Sequence, residues 1–203
     1  MNLFNIDKFK SKEYDWGIAD EFFIFPVAST YEDKNFKIRI GRFDVKNADF
    51  AFEKFDGFKS FLVPLDKNFA VKYKNSKMLI KAKTTFKFMA DEDLASMSEA
   101  RVFNLMLADD IDGKVEVLKF FDKLLVEDSF PADKILFAYA LTDDFIIRSA
   151  NKETELKKDG IAILIPKGKY DFEIVPKSVN KCEDDEDEEE SFEHAIIFGK
   201  VVL

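Results

Sequence analysis

Arg39 and Asn104 are the residues of this chain whose types and surroundings best suit holding a small polar molecule. Arg39 lies in Phe36-Lys37-Ile38-Arg39-Ile40-Gly41, where Phe36, Ile38 and Ile40 alternate with Lys37, Arg39 and Gly41. That period of two belongs to a strand with one apolar and one basic face. A guanidinium on such a face either clamps a carboxylate through its planar fork or salt-bridges on the exterior with one of the 40 acidic residues. Asn104 stands between Phe103 and Leu105-Met106. An amide in apolar company must find hydrogen bonds, so it either orients a ligand or satisfies neighbouring strand backbone. Phe50, Phe52 and Phe88 belong to a large Phe excess, 24 in 203 residues, and serve either a core or the aromatic wall of a small-molecule pocket.

Other chemistries lack their residues. A metal held by several imidazoles is excluded, because His194 is the sole histidine; the carboxylates cluster in one run rather than spacing out as ligands. No metal and no cofactor is therefore expected. His194 has no placeable nucleophile or orienting partner and reads as a surface residue. Cys182, the sole cysteine, precedes the acidic run Glu183 to Glu190, which raises a thiol's pKa and argues against a nucleophilic role. That run repels itself and is expected to be a solvated loop with no part in ligand binding.

The elements that must position these residues read as strands. Glu21 to Pro26, Phe36 to Val45, Phe61 to Leu65, Phe69 to Tyr73 and Met78 to Ala82 are strand-like, and Phe50 to Phe55 reads as a strand entering a turn at Asp56-Gly57. Asp91 to Ala100 fits a helical turn or a polar loop. Val102 to Ala108 and Val115 to Val126 return to apolar content, the second also fitting a helical stripe but read as a strand in context. Ile135 to Leu141, Phe145 to Arg148, Ile161 to Ile165, Tyr170 to Val175 and Ala195 to Val202 complete the series. Roughly a dozen strands at about 8–12-residue spacing predict an antiparallel barrel or sandwich rather than βαβ units.

A net charge of −9 and a pI near 4.8 oppose nucleic-acid binding, which draws on clustered Lys and Arg. No apolar run reaches membrane-spanning length and no signal-peptide pattern opens the chain, so a soluble cytoplasmic protein is expected, as a monomer or homodimer.

Four segments in order, Phe36-Lys37-Ile38-Arg39-Ile40-Gly41, Phe52-Glu53-Lys54-Phe55-Asp56-Gly57, Phe88-Met89-Ala90-Asp91 and Val102-Phe103-Asn104-Leu105-Met106, with Ala195 to Val202 as a closing strand, resemble the HutD/Ves family of cupin-like proteins associated with histidine utilisation. Leu156-Lys157-Lys158-Asp159-Gly160, Ile161 to Ile165 and Pro166-Lys167-Gly168 look like the cupin signature of turn, strand and Pro-x-Gly, with Asp-Gly in reversed order and Tyr170-Asp171 around the expected metal-ligand His. Against the family pattern, Trp16-Gly17-Ile18-Ala19 keeps little of a Gly-rich segment, Ser60 stands where an Arg is usual, and Val102 replaces an acid.

The resemblance implies an all-β, cupin-like (RmlC-like) antiparallel β-barrel over 1–203, with approximate halves 1–114 and 115–203. It also implies non-enzymatic binding of a small anionic metabolite, regulating or protecting histidine or urocanate breakdown, with Arg39 and Asn104 as ligand-binding residues beside Phe52 and Phe88. Two rival classes stand beside it: a metal-free cupin isomerase or epimerase, and a partner-binding structural protein.

Overall fold

The computed structural model describes residues 2–6, 9–128, 133–149, 152–166, 168–177 and 193–203. Cys182 and the acidic run 183–190 lie outside them. Among the described residues there is no helix, and the strands are β1 (Asn2–Asn5), β2 (Lys10–Tyr14), β3 (Gly17–Phe25), β4 (Ile38–Val45), β5 (Phe58–Pro64), β6 (Phe69–Tyr73), β7 (Ser76–Ile80), β8 (Phe86–Met89), β9 (Leu94–Ser96), β10 (Ala100–Ala108), β11 (Asp112–Phe120), β12 (Leu124–Asp128), β13 (Lys134–Ala140), β14 (Phe145–Ser149), β15 (Lys152–Leu156), β16 (Ile161–Ile165), β17 (Tyr170–Pro176) and β18 (His194–Val202). The fold is all-β, as the alternation and aromatic content predict. The chain divides into two compact units, Lys8–Glu116 and Met1–Asp7 with Val117–Leu203.

In Lys8–Glu116 a six-stranded antiparallel sheet, β2-β3-β4-β10-β5-β8, accompanies a three-stranded sheet, β7-β6-β9. A core drawn from both, including Phe43, Leu62, Phe69, Val71, Leu94 and Val102, fills the space between them. A second cluster gathers Phe36, Phe55, Phe58, Ala90 and Met106. β4 and β10 are the central strands and are buried on both faces, so of the basic face expected there Arg39 is buried, while Lys37, just before β4, is exposed. In the other unit, β1-β16-β13-β18-β11 accompanies β12-β17-β14-β15, and its core is likewise shared by both sheets, with Leu136, Ala162, Leu164 and Ile196 from one and Phe145, Ile147, Phe172 and Ile174 from the other.

Three expected elements differ. Phe50 to Phe55 is not a strand: Asp49 takes a left-handed conformation (φ 67) that breaks extension, and only Ala51 bridges, to Ala95. The segment is tethered instead by Phe50 N donating to Ser96 Oγ (3.0 Å), Phe52 N to the Leu94 carbonyl (2.9 Å) and Phe55 N to the Ala90 carbonyl (3.0 Å). Asp91 to Ala100 holds no helical turn but the strand β9, which pairs with β6. Val115 to Val126, read as one strand, is parts of two, β11 and β12, which break at the bend that follows Phe120, with Phe121 exposed there.

Candidate functional site

The polar side chains that interrupt the core of Lys8–Glu116 come from aligned rows across its large sheet. Directly opposed residues on antiparallel strands share a face. The register sets Ile24, Arg39, Met106, Ser60 and Phe88 in one row and Glu21, Gly41, Asn104, Leu62 and Phe86 in the next. β3 reaches this arrangement through a register shift between Glu21 and Phe23. The extra residue of such a bulge, here Phe22, resets which side chains face inward. Asp20 points to the opposite face, where it accepts from Ser11 Oγ (2.6 Å) and from Arg42 Nη2 (2.6 Å); Glu21 faces Arg39.

Arg39, Ser60 and Asn104 stand between the two apolar clusters, and a cavity of about 150 Å³ opens there. Phe52 and Phe88 line it together with Arg39 and Asn104, so all four residues singled out from sequence lie on one cavity. Trp16, Tyr31, Phe43, Phe50 and Phe55 supply further wall, and Glu53 and Glu92 its acidic groups. The Trp16 and Phe50 rings stack at 4.2 Å, and Tyr14 stacks on Trp16 at 5.1 Å.

Arg39 is 4% exposed. Its Nε donates to Glu21 Oε2 at 3.1 Å, and its guanidinium carbon lies 4.5 Å from the Tyr31 ring centre and 5.8 Å from that of Phe43, within cation–π range. The exterior salt bridge open to Arg39 in the sequence is therefore an interior one. Gly41 makes room for the neighbouring backbone: a Cβ there would stand 2.5 Å from the Asp20 carbonyl oxygen, and in ordinary contact, at 3.5 Å, with Arg39 Nη1. Asn104, 2% exposed, donates through Nδ2 to Ser60 Oγ (2.9 Å) and to the Phe61 carbonyl (3.4 Å). It thus satisfies strand backbone and lines the cavity at once. Arg39 Nη1 and Asn104 Oδ1 are buried and have no partner in the protein.

The acids of the cavity are engaged. Glu53 pairs with Lys34 at 2.8 Å. Glu92 pairs with Lys74 at 2.5 Å and accepts from Tyr73 Oη and from Met89 N; the hydrogen bond from Lys74, then that from Tyr73, hold its carboxyl below the usual range. Burial, reinforced by the Glu53 charge, pushes the Tyr31 phenol well above its ordinary value, against the opposing influence of Arg39.

His194, expected at the surface, is only partly exposed. Its Nδ1 lies 2.8 Å from Asp143 Oδ2, and the Phe120 and Phe145 rings lie 6.2 Å from its own. Among the described residues no three His, Cys, Asp or Glu gather in a way that could hold a metal ion. The sequence reading missed Trp16, Tyr31 and Glu21 as site residues. The alternation before Glu21 carries a signal for that residue; the ring positions carry none.

No protein family matches the sequence, and no curated protein matches it. Solved structures do. PA5104 from Pseudomonas aeruginosa PAO1, a conserved protein of unknown function, aligns over all of both chains at TM-score 0.79 and 14% identity. HutD from Pseudomonas fluorescens SBW25 aligns over 98% of this chain and 97% of its own at TM-score 0.72 and 11% identity. The chain has the fold of HutD. A putative mannosephosphate isomerase from Archaeoglobus fulgidus, at TM-score 0.69 and 10% identity over 97% of this chain and 96% of its own, shares that HutD-like fold, as does a cupin 2 conserved barrel domain protein from Leptotrichia buccalis, at TM-score 0.57 and 10% identity over 95% and 91%. The resemblance drawn from the four segments thus holds at the level of fold, and no helix among the described residues is long and apolar enough to cross a membrane.

Proposed function

We propose that this chain is a non-enzymatic small-molecule-binding protein of the HutD/Ves type, which captures a small anionic metabolite and so regulates or protects histidine or urocanate breakdown. The observation that carries the reading is the convergence of a buried guanidinium and a buried amide on one aromatic-walled cavity of about 150 Å³, the composition of small-ligand sites generally. Arg39 and Asn104 bind and orient the metabolite, with Phe52 and Phe88 as walls. The engagement of the acids favours binding over the isomerase reading. A general base must be able to take a proton at working pH, whereas Glu53 is tied to Lys34, Glu92 is held below the usual carboxylate range and Tyr31 is held protonated. On this reading the protein is cytoplasmic, a monomer or homodimer, and engages neither nucleic acid nor membrane.

The test is a thermal-shift and titration-calorimetry series with formate, acetate, benzoate and imidazole-ring carboxylic acids on the wild type and Arg39→Lys. A ligand of the native state raises Tm by mass action, and loss of the planar fork weakens binding by roughly tenfold or more. A binder whose affinity is unchanged in Arg39→Lys, or turnover of any of these acids, overturns the reading.

A further inference from the structure

We infer that the head group read by Arg39 and Asn104 is a carbonyl beside an N–H, as in a lactam or cyclic ureide, rather than a plain carboxylate. The inference rests on the binding function proposed above and specifies which part of the ligand reaches the sheet.

Arg39 Nη1 is a donor and Asn104 Oδ1 an acceptor, and both are buried without a partner in the protein. Such groups are uncommon in native interiors and call for an occupant that satisfies them. The Asn104 assignment follows from its other contacts: the Phe61 carbonyl can only accept, so the amide nitrogen faces it and the oxygen faces away.

The two orphan atoms are neighbours. Nη1 sits 3.5 Å from the point where a Cβ of Gly41 would stand, and Gly41 is the direct cross-strand partner of Asn104. Opposed Cβ positions are about 5 Å apart, so one small head group spans both. It must accept from Nη1 and donate to Oδ1. A carboxylate supplies two acceptors and would set an anionic oxygen against Oδ1; a carbonyl adjacent to an N–H supplies the complement.

Charge points the same way. Glu21 already matches Arg39, Lys34 matches Glu53 and Lys74 matches Glu92. A second buried anion at Arg39 would have no cation of its own, and unpaired buried charge is strongly disfavoured. The ligand's negative charge is then not the part that Arg39 reads. The flat walls formed by Phe43, Phe52, Phe88 and the Trp16–Phe50 stack suit a planar ring.

The probes are 2-pyridone, N-methyl-2-pyridone and benzoate, of similar size and flatness, titrated into the full chain by calorimetry with the fluorescence of Trp16, the sole tryptophan, as a second readout. 2-Pyridone is expected to bind at least roughly tenfold more tightly than the other two, since each of them leaves Oδ1 unpaired. In Asn104→Leu that preference is expected to vanish; if the variant fails to fold, the comparison of the three probes on the wild type decides alone. Benzoate binding as tightly as 2-pyridone, or N-methyl-2-pyridone matching it, overturns the head-group assignment and leaves the small-molecule function standing. Failure of all three probes and of the acid series to bind overturns both.

Discussion

Replacing Arg39 by Met tests how the cavity is held together. The substitution keeps an unbranched apolar stem but removes the cation that Glu21 faces at 3.1 Å and that lies over the Tyr31 ring. Glu21 keeps 16% of its side-chain surface and Arg39 only 5%, so the pair behaves as a largely buried one. Removing one partner of a buried pair typically costs about 3–5 kcal/mol, because the other charge is left without compensation. The residual exposure of Glu21 places the expected loss near the lower end, about 3 kcal/mol. The same logic gives a sharper expectation for Arg39→Met/Glu21→Gln. With both charges gone, the double variant should be more stable than Arg39→Met alone, and the coupling should be about 2 kcal/mol, within the range found for residues in contact. Urea unfolding followed by Trp16 fluorescence reads the unit in which the change is made. A cost below about 1 kcal/mol for Arg39→Met, or additive single and double variants, would refute the claim that this ion pair organises the site.

Tyr31→Phe tests the raised phenol. Its pKa is higher in the fold than the unfolded value of 10.0, so stability is fully present below pH 10 and is lost as pH rises toward the folded value. Above pH 10 the wild type should lose up to about 1.4 kcal/mol per pH unit more than the variant, seen as converging urea midpoints; parallel pH profiles would count against the shift. Gly41→Ala should destabilise by about 1–3 kcal/mol and weaken any ligand of Arg39, since the new methyl meets the backbone oxygen of Asp20 at 2.5 Å. Gly199→Ala should also cost about 1–3 kcal/mol, because its Cβ would fall 1.9 Å from the Phe137 ring, and Phe137→Leu in the same chain should recover part of the loss.

The sequence revealed the strands that alternate and concealed the segments whose backbone bonds go elsewhere. Ile38, Ile40 and their neighbours have the period of a strand, and β4 forms there. Phe50 to Phe55 has aromatic content without a ladder, because Ser96 Oγ takes the place of one backbone acceptor, a substitution no local pattern reports. Arg39 was visible as the odd residue of an apolar strand, yet its interior setting depends on β4 being central, which is a property of the sheet order. Tyr31 and Trp16 were illegible as site residues because they approach Arg39 and Asn104 from loops or strand ends, and periodicity carries no information about those. The left-handed Asp49 that redirects the chain also gave no compositional warning.

The bulge at Phe22 constrains how this protein can diverge. Adjacent codons for Asp20 and Glu21 address opposite faces and two different arginines by ordinary alternation, while Phe23 and Ile24 run in the frame shifted by the extra residue. Point substitutions at Ala19 or Glu21 can retune the cavity without touching the Asp20–Arg42 contact behind it. Loss of the single codon for Phe22 would leave Glu21 opposite Gly41, Phe23 opposite Ile40 and Ile24 opposite Arg39, so an in-frame deletion there would flatten the bulge and keep the lining of the cavity, whereas a one-residue deletion elsewhere in β3 would exchange that lining for the outer face.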